Sequence, residues 1–204
     1  MNVPSETVRH LLSEHHTLAS SLAAFEHLLD EVEEGKKPDR ALLRVMVDCI
    51  SDFCSLRHEE KEEALLVPEL ERLGMEWDTG PLAYTRREHR QVHYLIRSLQ
   101  HDCHQRDDWD GEDRRHFVSI GRELISFLTH HMKHEEKYLF PEAEARLTPE
   151  IDAELAARFE EIDQELDHDA DNQSLQARAA LLVARFGGGH SGDNPSVSRR
   201  GDGR

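Results

Sequence analysis

Histidine and glutamate recur at one spacing in two places along the chain. His58 is followed four residues later by Glu62, and His131 is followed four residues later by Glu135. Residues four apart lie on one face of a helix, one turn from each other. An imidazole nitrogen and a carboxylate oxygen that converge in this way suit iron, manganese or zinc, whereas a site built on soft thiolates is excluded. The repeat therefore predicts a metal site shared by two helices.

Two more histidines occupy matching positions in two other segments. His15 and His89 each follow a glutamate and precede apolar residues at helical spacing. In an antiparallel helix pair, residues equally far from the connecting turn lie side by side. His15 and His58 are about equally far from the turn near residue 36. The chain thus reads as two similar helix pairs, which predicts two similar metal sites that face each other.

The apolar stripe of each helix runs through these histidines, so we expect them to point inward. A single His-x-x-x-Glu motif on a charged helix is usually a solvated ion pair. A carboxylate buried among leucines, however, is costly unless a metal or hydrogen bonds compensate it. His93, one turn after His89, is either a further ligand or a histidine beside the site. Three histidines lie about 100° or more around the helix from their stripes, and we expect them on the surface or around the site: His16, His130 and His134.

Four long segments with apolar residues three and four apart are separated by loops that contain glycine or proline. The segments cover about residues 5–34, 39–73, 82–104 and 112–147, and strand-like alternation is absent. We predict an all-α fold: an up-down-up-down antiparallel four-helix bundle with additional short C-terminal helices over about 149–166 and 172–186. The expected division is a bundle at 1–148, a helical extension at 149–186, and a disordered tail at 187–204 that has no core-forming residues.

Composition narrows the partners and the compartment. The net charge of −17 argues against nucleic acid and against an anionic membrane, because both would repel the chain. No apolar stretch reaches the ~20 residues that a membrane span needs, and the first residues lack the pattern of a signal peptide. Three cysteines form no CxxC pair, and we interpret them as reduced packing residues: Cys49, Cys54 and Cys103. A cytoplasmic location is expected.

The order of these motifs resembles the hemerythrin family, and specifically the bacterial hemerythrin-like (HHE cation-binding) domains. The likeness covers about residues 5–147 and includes the proline endings at Pro68 and Pro141. It implies a non-haem di-iron centre with two Fe per chain, bridged by two glutamates and an oxo or hydroxo group; Mn or Zn stay open. The expected metal ligands are His15, His58, Glu62, His89, His93, His131 and Glu135. Glu136 stands where the oxygen-carrying members have an aspartate, five residues after the last histidine, and it is the alternative to Glu135.

The resemblance implies that a small diatomic ligand (O2 or NO) or peroxide binds at the centre. Our first hypothesis is a binding protein that senses, buffers or carries O2, NO or iron. The second is a di-iron enzyme that consumes peroxide or NO, or a protein that repairs iron centres. Either would need an external reductant, since no GxGxxG fingerprint is present. The third is a metal-free or zinc-stapled bundle that meets a second copy or another protein through its C-terminal helices. Candidate groups around the site, with plain packing as the alternative, are Tyr84, Tyr94 and Tyr138.

Overall fold

The computed structural model describes residues 5–36, 39–105, 109–168 and 175–186. Within those ranges the chain is helical with short connecting turns, and none of the described residues forms a β-strand. The elements are α1 (Glu6–Glu33), α2 (residues 40–72), α3 (Gly80–Gln105), α4 (residues 111–146), α5 (Pro149–His168) and α6 (Leu175–Phe186). The predicted all-α class is confirmed. The predicted tail at 187–204 lies outside the described residues.

The helices begin where short polar side chains can accept hydrogen bonds from free backbone N–H groups. The Ser5 hydroxyl accepts from the N–H of Val8 at 3.0 Å, and the Asp39 carboxylate caps α2 in the same way. Asp110 and Asp113 form a reciprocal capping box at the start of α4. These contacts satisfy donors that have no partner within the helix, which explains why the helices begin at these residues.

Two of the long helices contain wide π-helical turns. Helix α2 consists of Arg40–Asp52, a π turn at Phe53–His58, Glu59–Lys61, a second π turn at Glu62–Leu66, and Val67–Arg72. Helix α4 consists of Gly111–His134, a π turn at Glu135–Leu139, and Phe140–Arg146.

The wide turns that begin at Glu62 and Glu135 are closed by bonds that span five residues. The N–H of Val67 donates to the carbonyl of Glu62, and the N–H of Phe140 donates to that of Glu135. A proline follows each turn and has no N–H, and its ring crowds the carbonyl four residues earlier. A wider turn relieves that crowding. Such turns are frequent at functional sites.

Two apolar clusters lie at different levels along the four long helices. The larger cluster draws on residues 18–32 of α1, 43–54 of α2, 92–103 of α3 and 117–132 of α4. The smaller cluster draws on residues 8–11 of α1, 65–70 of α2, Leu82 of α3 and 139–143 of α4. Between these levels each helix carries buried histidine or glutamate. A polar belt therefore separates two apolar layers.

The two C-terminal helices pack on the four long ones. Helix α5 contacts α1 and the first π turn of α2, and α6 contacts α1 and α2. Phe159 of α5 is fully buried in the smaller cluster, and Leu182 of α6 is buried in the larger one. The Asp152 carboxylate accepts hydrogen bonds from the N–H groups of Glu6 and Thr7, at 2.7 and 3.0 Å. Helix α5 thus caps the start of α1. Among the described helices, none is long and apolar enough to cross a membrane.

Candidate metal centre

The polar belt brings six of the predicted ligands together from four helices. Their ligand atoms form two groups that share one glutamate, and within each group the atoms lie within 4.8 Å of one another. The first group is His15, His58 and Glu135, and the second is Glu62, His89, His131 and Glu135. All six side chains are at most 3% exposed. Charged and polar side chains this deeply buried need compensating partners.

The Glu62 carboxylate lies between two histidines from different helices. Its Oε1 atom is 3.7 Å from His58 Nε2, and its Oε2 atom is 3.3 Å from His89 Nε2. The two oxygens of one side chain are therefore directed at different groups.

The Glu135 carboxylate divides its oxygens in the same way. Its Oε2 atom is 3.4 Å from His15 Nε2 and 3.9 Å from His58 Nε2. Its Oε1 atom is 3.3 Å from His131 Nε2 and 3.8 Å from His89 Nε2. Each carboxylate thus offers one oxygen to each pair of histidines, which is the arrangement needed to bridge two cations.

Most of the atoms that face the middle of the belt lack hydrogen-bond partners; the exceptions are the Nε2 atoms of His15 and His58, which lie 3.3 Å apart. Among the described residues, the buried atoms without such a partner include both carboxylate oxygens of Glu62 and Glu135 and the Nε2 atoms of His89 and His131. Each unsatisfied buried polar atom lowers the stability of the folded chain by about 1–3 kcal/mol. These atoms therefore need a bound partner. Two cations would satisfy all of them at once, and imidazole nitrogens with carboxylate oxygens are suitable donors.

The outer nitrogen of each of these four histidines bonds to a glutamate, and of these glutamates sequence reasoning had considered only Glu136, as the alternative ligand to Glu135. The Nδ1–glutamate distances are 2.9 Å for His15 with Glu136, 3.1 Å for His58 with Glu14, 2.7 Å for His89 with Glu63, and 3.0 Å for His131 with Glu88. With the hydrogen on Nδ1, the lone pair of Nε2 faces the middle of the belt. The only signal in the sequence is that each of these glutamates adjoins an expected ligand.

These contacts obey an approximate two-fold relation. Exchanging the pair α1 and α2 with the pair α3 and α4 maps His58–Glu14 onto His131–Glu88 and His15–Glu136 onto His89–Glu63. The internal repeat seen in the sequence is therefore also a repeat of contacts.

Charges within the belt shift the titration of its members. Burial lowers the pKa of His58, but the Glu62 and Glu135 carboxylates outweigh burial and hold that pKa well above its usual range. The pKa of His89 is raised well above its usual range for the same reasons. Burial raises the pKa of Glu135, but His131 and the other nearby imidazoles outweigh it and hold that pKa well below its usual range. A bound cation would replace the imidazole protons and release them.

A sequence model of the hemerythrin HHE cation binding domain matches residues 6–143 of this chain. The chain belongs to the hemerythrin family. Comparison with curated proteins and with solved structures finds no significant match. The matched region includes all six residues of the two ligand groups and ends before α5 and α6. The family and the buried histidine–glutamate group together support a cation-binding domain.

Among the predicted ligands of this hemerythrin domain, His93 lies outside both groups. Its Nε2 atom is 2.7 Å from an oxygen of Glu59, and its Nδ1 atom is 3.5 Å from the hydroxyl of Ser55. The hydrogen bond with Glu59 raises the pKa of His93. The structure brings His89 to Glu62 instead.

Glu135 and Glu136, the two alternative ligands, occupy different positions relative to the centre. Glu135 is fully buried between the two groups, whereas the side chain of Glu136 is 43% exposed and accepts a hydrogen bond from His15 Nδ1. Glu136 therefore lies around the centre of the hemerythrin domain and outside the two groups.

The remaining histidines and tyrosines singled out in the sequence lie at the surface or near it. His16 is exposed and its Nδ1 donates to the carbonyl of Leu12, while His130 is exposed. His134 is partly buried, with its ring near two tyrosine rings. The three tyrosines are exposed by 43% or more: Tyr84, Tyr94 and Tyr138.

A groove between α1 and α4 leads from the surface to one side of the hemerythrin centre. It has a volume of about 320 Å³ and is lined by His15, by small or apolar residues such as Ala19 and Met132, and by the charged residues Glu26, Lys133 and Glu136. Under the two-fold relation, His93 and Glu59 take the places of Ala19 and Met132. On the opposite side of the centre, an ion pair between His93 and Glu59 therefore occupies the positions that Ala19 and Met132 occupy in the groove.

Proposed function

We propose that this hemerythrin domain holds two iron ions and uses them to bind, sense or buffer O2, NO or iron. One observation carries the proposal: Glu62 and Glu135 each direct one oxygen to each pair of histidines. A single cation would use one oxygen of each carboxylate and leave the others buried without a partner. Two cations account for all four oxygens.

The residues divide naturally between the two ions. One ion would be held by His15 and His58 and the other by His89 and His131, with Glu62 and Glu135 shared. This gives each ion two imidazole nitrogens and two carboxylate oxygens from the chain. Iron commonly accepts more than four donors, so a small molecule could complete its coordination. Bound ferrous ions would supply the electrons that O2, NO or peroxide accepts. Mn and Zn are the alternatives that the same donors allow.

The chain itself contributes orientation and exclusion of water. The four outer glutamates keep each imidazole with its Nε2 toward the centre. The apolar clusters above and below the belt limit access from either end, which leaves the groove at His15 as the approach that we propose for a small ligand. The apolar part of its walls, which includes Ala19 and Met132, suits an uncharged molecule such as O2 or NO.

We infer that the four long helices run up, down, up and down. In contacts between neighbours, a residue early in one helix meets a residue late in the other, as antiparallel directions require. The supporting pairs are Arg40 with Asp102 and Glu71 with Arg86 for α2 and α3, and His15 with Glu136 and Asp30 with Arg122 for α1 and α4.

Metal analysis combined with optical spectroscopy tests the proposal. The full chain, expressed with iron supplied, is expected to contain about two irons and to show near-ultraviolet bands of a bridged ferric pair. After anaerobic reduction, O2 or NO should change the spectrum. Absence of iron, a single zinc, or no response to either gas would overturn the proposal.

The alternative function is a di-iron enzyme that consumes peroxide or NO, or repairs iron centres, with an external reductant. It would be favoured if the loaded protein removed peroxide or NO faster than an equal amount of free iron. A cytoplasmic location, and a second copy or another protein bound through the C-terminal helices, stay predictions.

A further inference from the structure

A fully buried lysine lies directly beside the hemerythrin centre. Lys61 is 0% exposed, and its ammonium group contacts Glu14 Oε1 and lies 2.5 Å from Asp163 Oδ1. A lysine is almost never fully buried unless it is paired. The ammonium lies where ligand-type atoms of His10, Glu14 and Asp163 converge. It thus supplies the positive charge that a cation would supply at that position.

These contacts form a continuous chain of bonds from α5 to His58, a predicted ligand. The second oxygen of Glu14 accepts a hydrogen bond from His58 Nδ1 at 3.1 Å, and His58 Nε2 faces the centre. The chain of bonds is therefore Asp163, Lys61, Glu14 and His58. Asp163 is held in turn by Arg57, whose guanidinium lies 3.0 Å from Oδ1. Breaking a buried ion pair on one side leaves an uncompensated charge, so each member depends on the next.

The chain of bonds begins outside the region that the family shares. Asp163 lies in α5, whereas the matched hemerythrin domain ends at residue 143. Helix α5 is fixed on α1 by the Asp152 cap and by buried Phe159. Its position along the four helices is thus determined independently of the Asp163 contact.

The other half of the centre has no equivalent of this buried ion pair among the described residues. The two-fold relation sets His134 in the place of Lys61 and Glu88 in the place of Glu14. His134 Nδ1 lies 3.9 Å from Glu88 Oε2, beyond hydrogen-bond distance, and its side chain is 15% exposed. Its ring instead lies near the exposed rings of Tyr84 and Tyr138, at centroid distances of 5.1 and 4.9 Å.

We propose that Asp163 is a positioning residue for the metal centre, acting through Lys61 and Glu14 on the orientation of His58. This inference rests on the proposed function, because it requires cations in the belt. It makes the two cation positions unequal. The position at His15 and His58 depends on α5, and the position at His89 and His131 does not.

Titration of the metal-free full-length chain with Co²⁺, followed by visible absorption, tests the inference. The wild type is expected to bind two equivalents. Asp163→Asn keeps the shape of the side chain but removes the charge that holds Lys61. It should weaken one equivalent by about tenfold, at the lower end of the range for outer partners of metal ligands, and alter the absorption of that equivalent alone. Asp163→Glu moves the carboxylate by one methylene group and should give a smaller change of the same kind.

Asp167→Asn is the matched control. Asp167 lies on the same helix and contacts the same arginine, Arg57, at 2.7 Å, but it does not contact Lys61. Both variants should lower the melting temperature of the metal-free protein, whereas only Asp163→Asn should change Co²⁺ binding.

Three outcomes would overturn the inference, and they differ from one another. If the wild type binds no Co²⁺ and no iron, the proposed function fails and the inference fails with it. If the wild type binds two equivalents and Asp163→Asn binds both with unchanged affinity and absorption, only the inference fails. If Asp163→Asn and Asp167→Asn weaken both equivalents alike, α5 stabilises the fold without positioning His58. If Asp163→Asn does not fold, Asp163→Glu decides by the same readouts.

Discussion

Glutamates that are adjacent in the sequence occupy two different kinds of position in the belt. Glu62 and Glu135 are fully buried between the histidine pairs, while the residues directly after them bond to the outer nitrogens of His89 and His15. One step along a helix turns a side chain by about 100°. Adjacent acids therefore face the centre and its periphery, respectively.

Substitution of these neighbours distinguishes the two kinds of position. Glu135→Ala removes a side chain common to both groups, so we expect loss of iron from both positions and a lower melting temperature. Glu136→Ala removes one bond to His15 Nδ1, and we expect near-normal stoichiometry at saturating iron with about tenfold weaker binding. Elemental analysis and thermal unfolding report both effects.

His16→Ala is the control for that comparison, since His16 is exposed and its Nδ1 donates to the Leu12 carbonyl of its own helix. It should leave iron content and melting temperature unchanged. Full iron content in Glu135→Ala would contradict the assignment of Glu135 as a shared ligand.

Sequence reasoning found the six residues that meet because their spacing and their apolar surroundings point to one interior. It missed three of the four outer glutamates and considered the fourth, Glu136, only as an alternative ligand, since a bond such as Glu14 to His58 depends on how two helices are rotated against each other. The position of His93 also depends on helix rotation that the sequence does not reveal. Its spacing from His89 suits a ligand pair, yet its side chain is 35% exposed and paired with Glu59.

At the level of helices, the boundaries of the four long segments followed from the sequence to within about two residues, because caps and loop residues mark them. The π turns did not follow from it. Each wide turn adds one residue without an unusual composition, and only the proline after two of them hints at a change.

The walls of the groove between α1 and α4 allow a direct test of ligand approach. Ala19 is exposed and lines the groove, so Ala19→Trp should fill part of it without disturbing the interior. We expect unchanged iron content and about tenfold slower binding of O2 or NO, within the range over which association rates usually vary among variants. Stopped-flow absorption of the reduced protein measures the rate.

Ser20→Trp adds the same bulk one residue later on α1, at an exposed position that does not line the groove. Its association rate should match the wild type. Equal rates in all three proteins would show that small ligands reach the iron by another path.

For the molecule as a whole, the sequence predicted helices at the C-terminal end but not what they contact. In the structure both helices pack on the four long ones. The structure shows that α5 also contributes a charged group next to the belt. Asp163 of α5 contacts Lys61, and Lys61 contacts Glu14. Such long-range ion pairs leave no local signature in the sequence, because each partner looks like an ordinary surface charge.

Stability should depend on pH through the ion pair that joins α1 to α5. The hydrogen bond with Asp163, at 2.8 Å, raises the pKa of His10 to about 9, with Glu14 acting in the same direction and Lys61 against it. The pKa of His10 is higher in the folded state than in the unfolded state. Its contribution is therefore complete below about pH 6.5 and disappears as the pH rises through about 9.

Comparison of the wild type with His10→Gln isolates this contribution. In the metal-free protein we expect the variant to be less stable at pH 6 by on the order of 2 kcal/mol, and the difference should shrink toward zero near pH 10. Urea unfolding at several pH values measures the difference. A gap that stays constant between pH 6 and 10 would contradict the assigned pKa.

The wide turns at Glu62 and Glu135 also affect how the chain can vary in length. Elsewhere in a helix, losing one residue rotates everything beyond it by about 100° and takes a packed face out of phase. A wide turn already holds one residue more than an α-helical turn, so it can lose that residue and leave the following segment oriented as before. The spacing between each acid and the proline that follows it can therefore change by one residue while the apolar layer beyond it stays in phase.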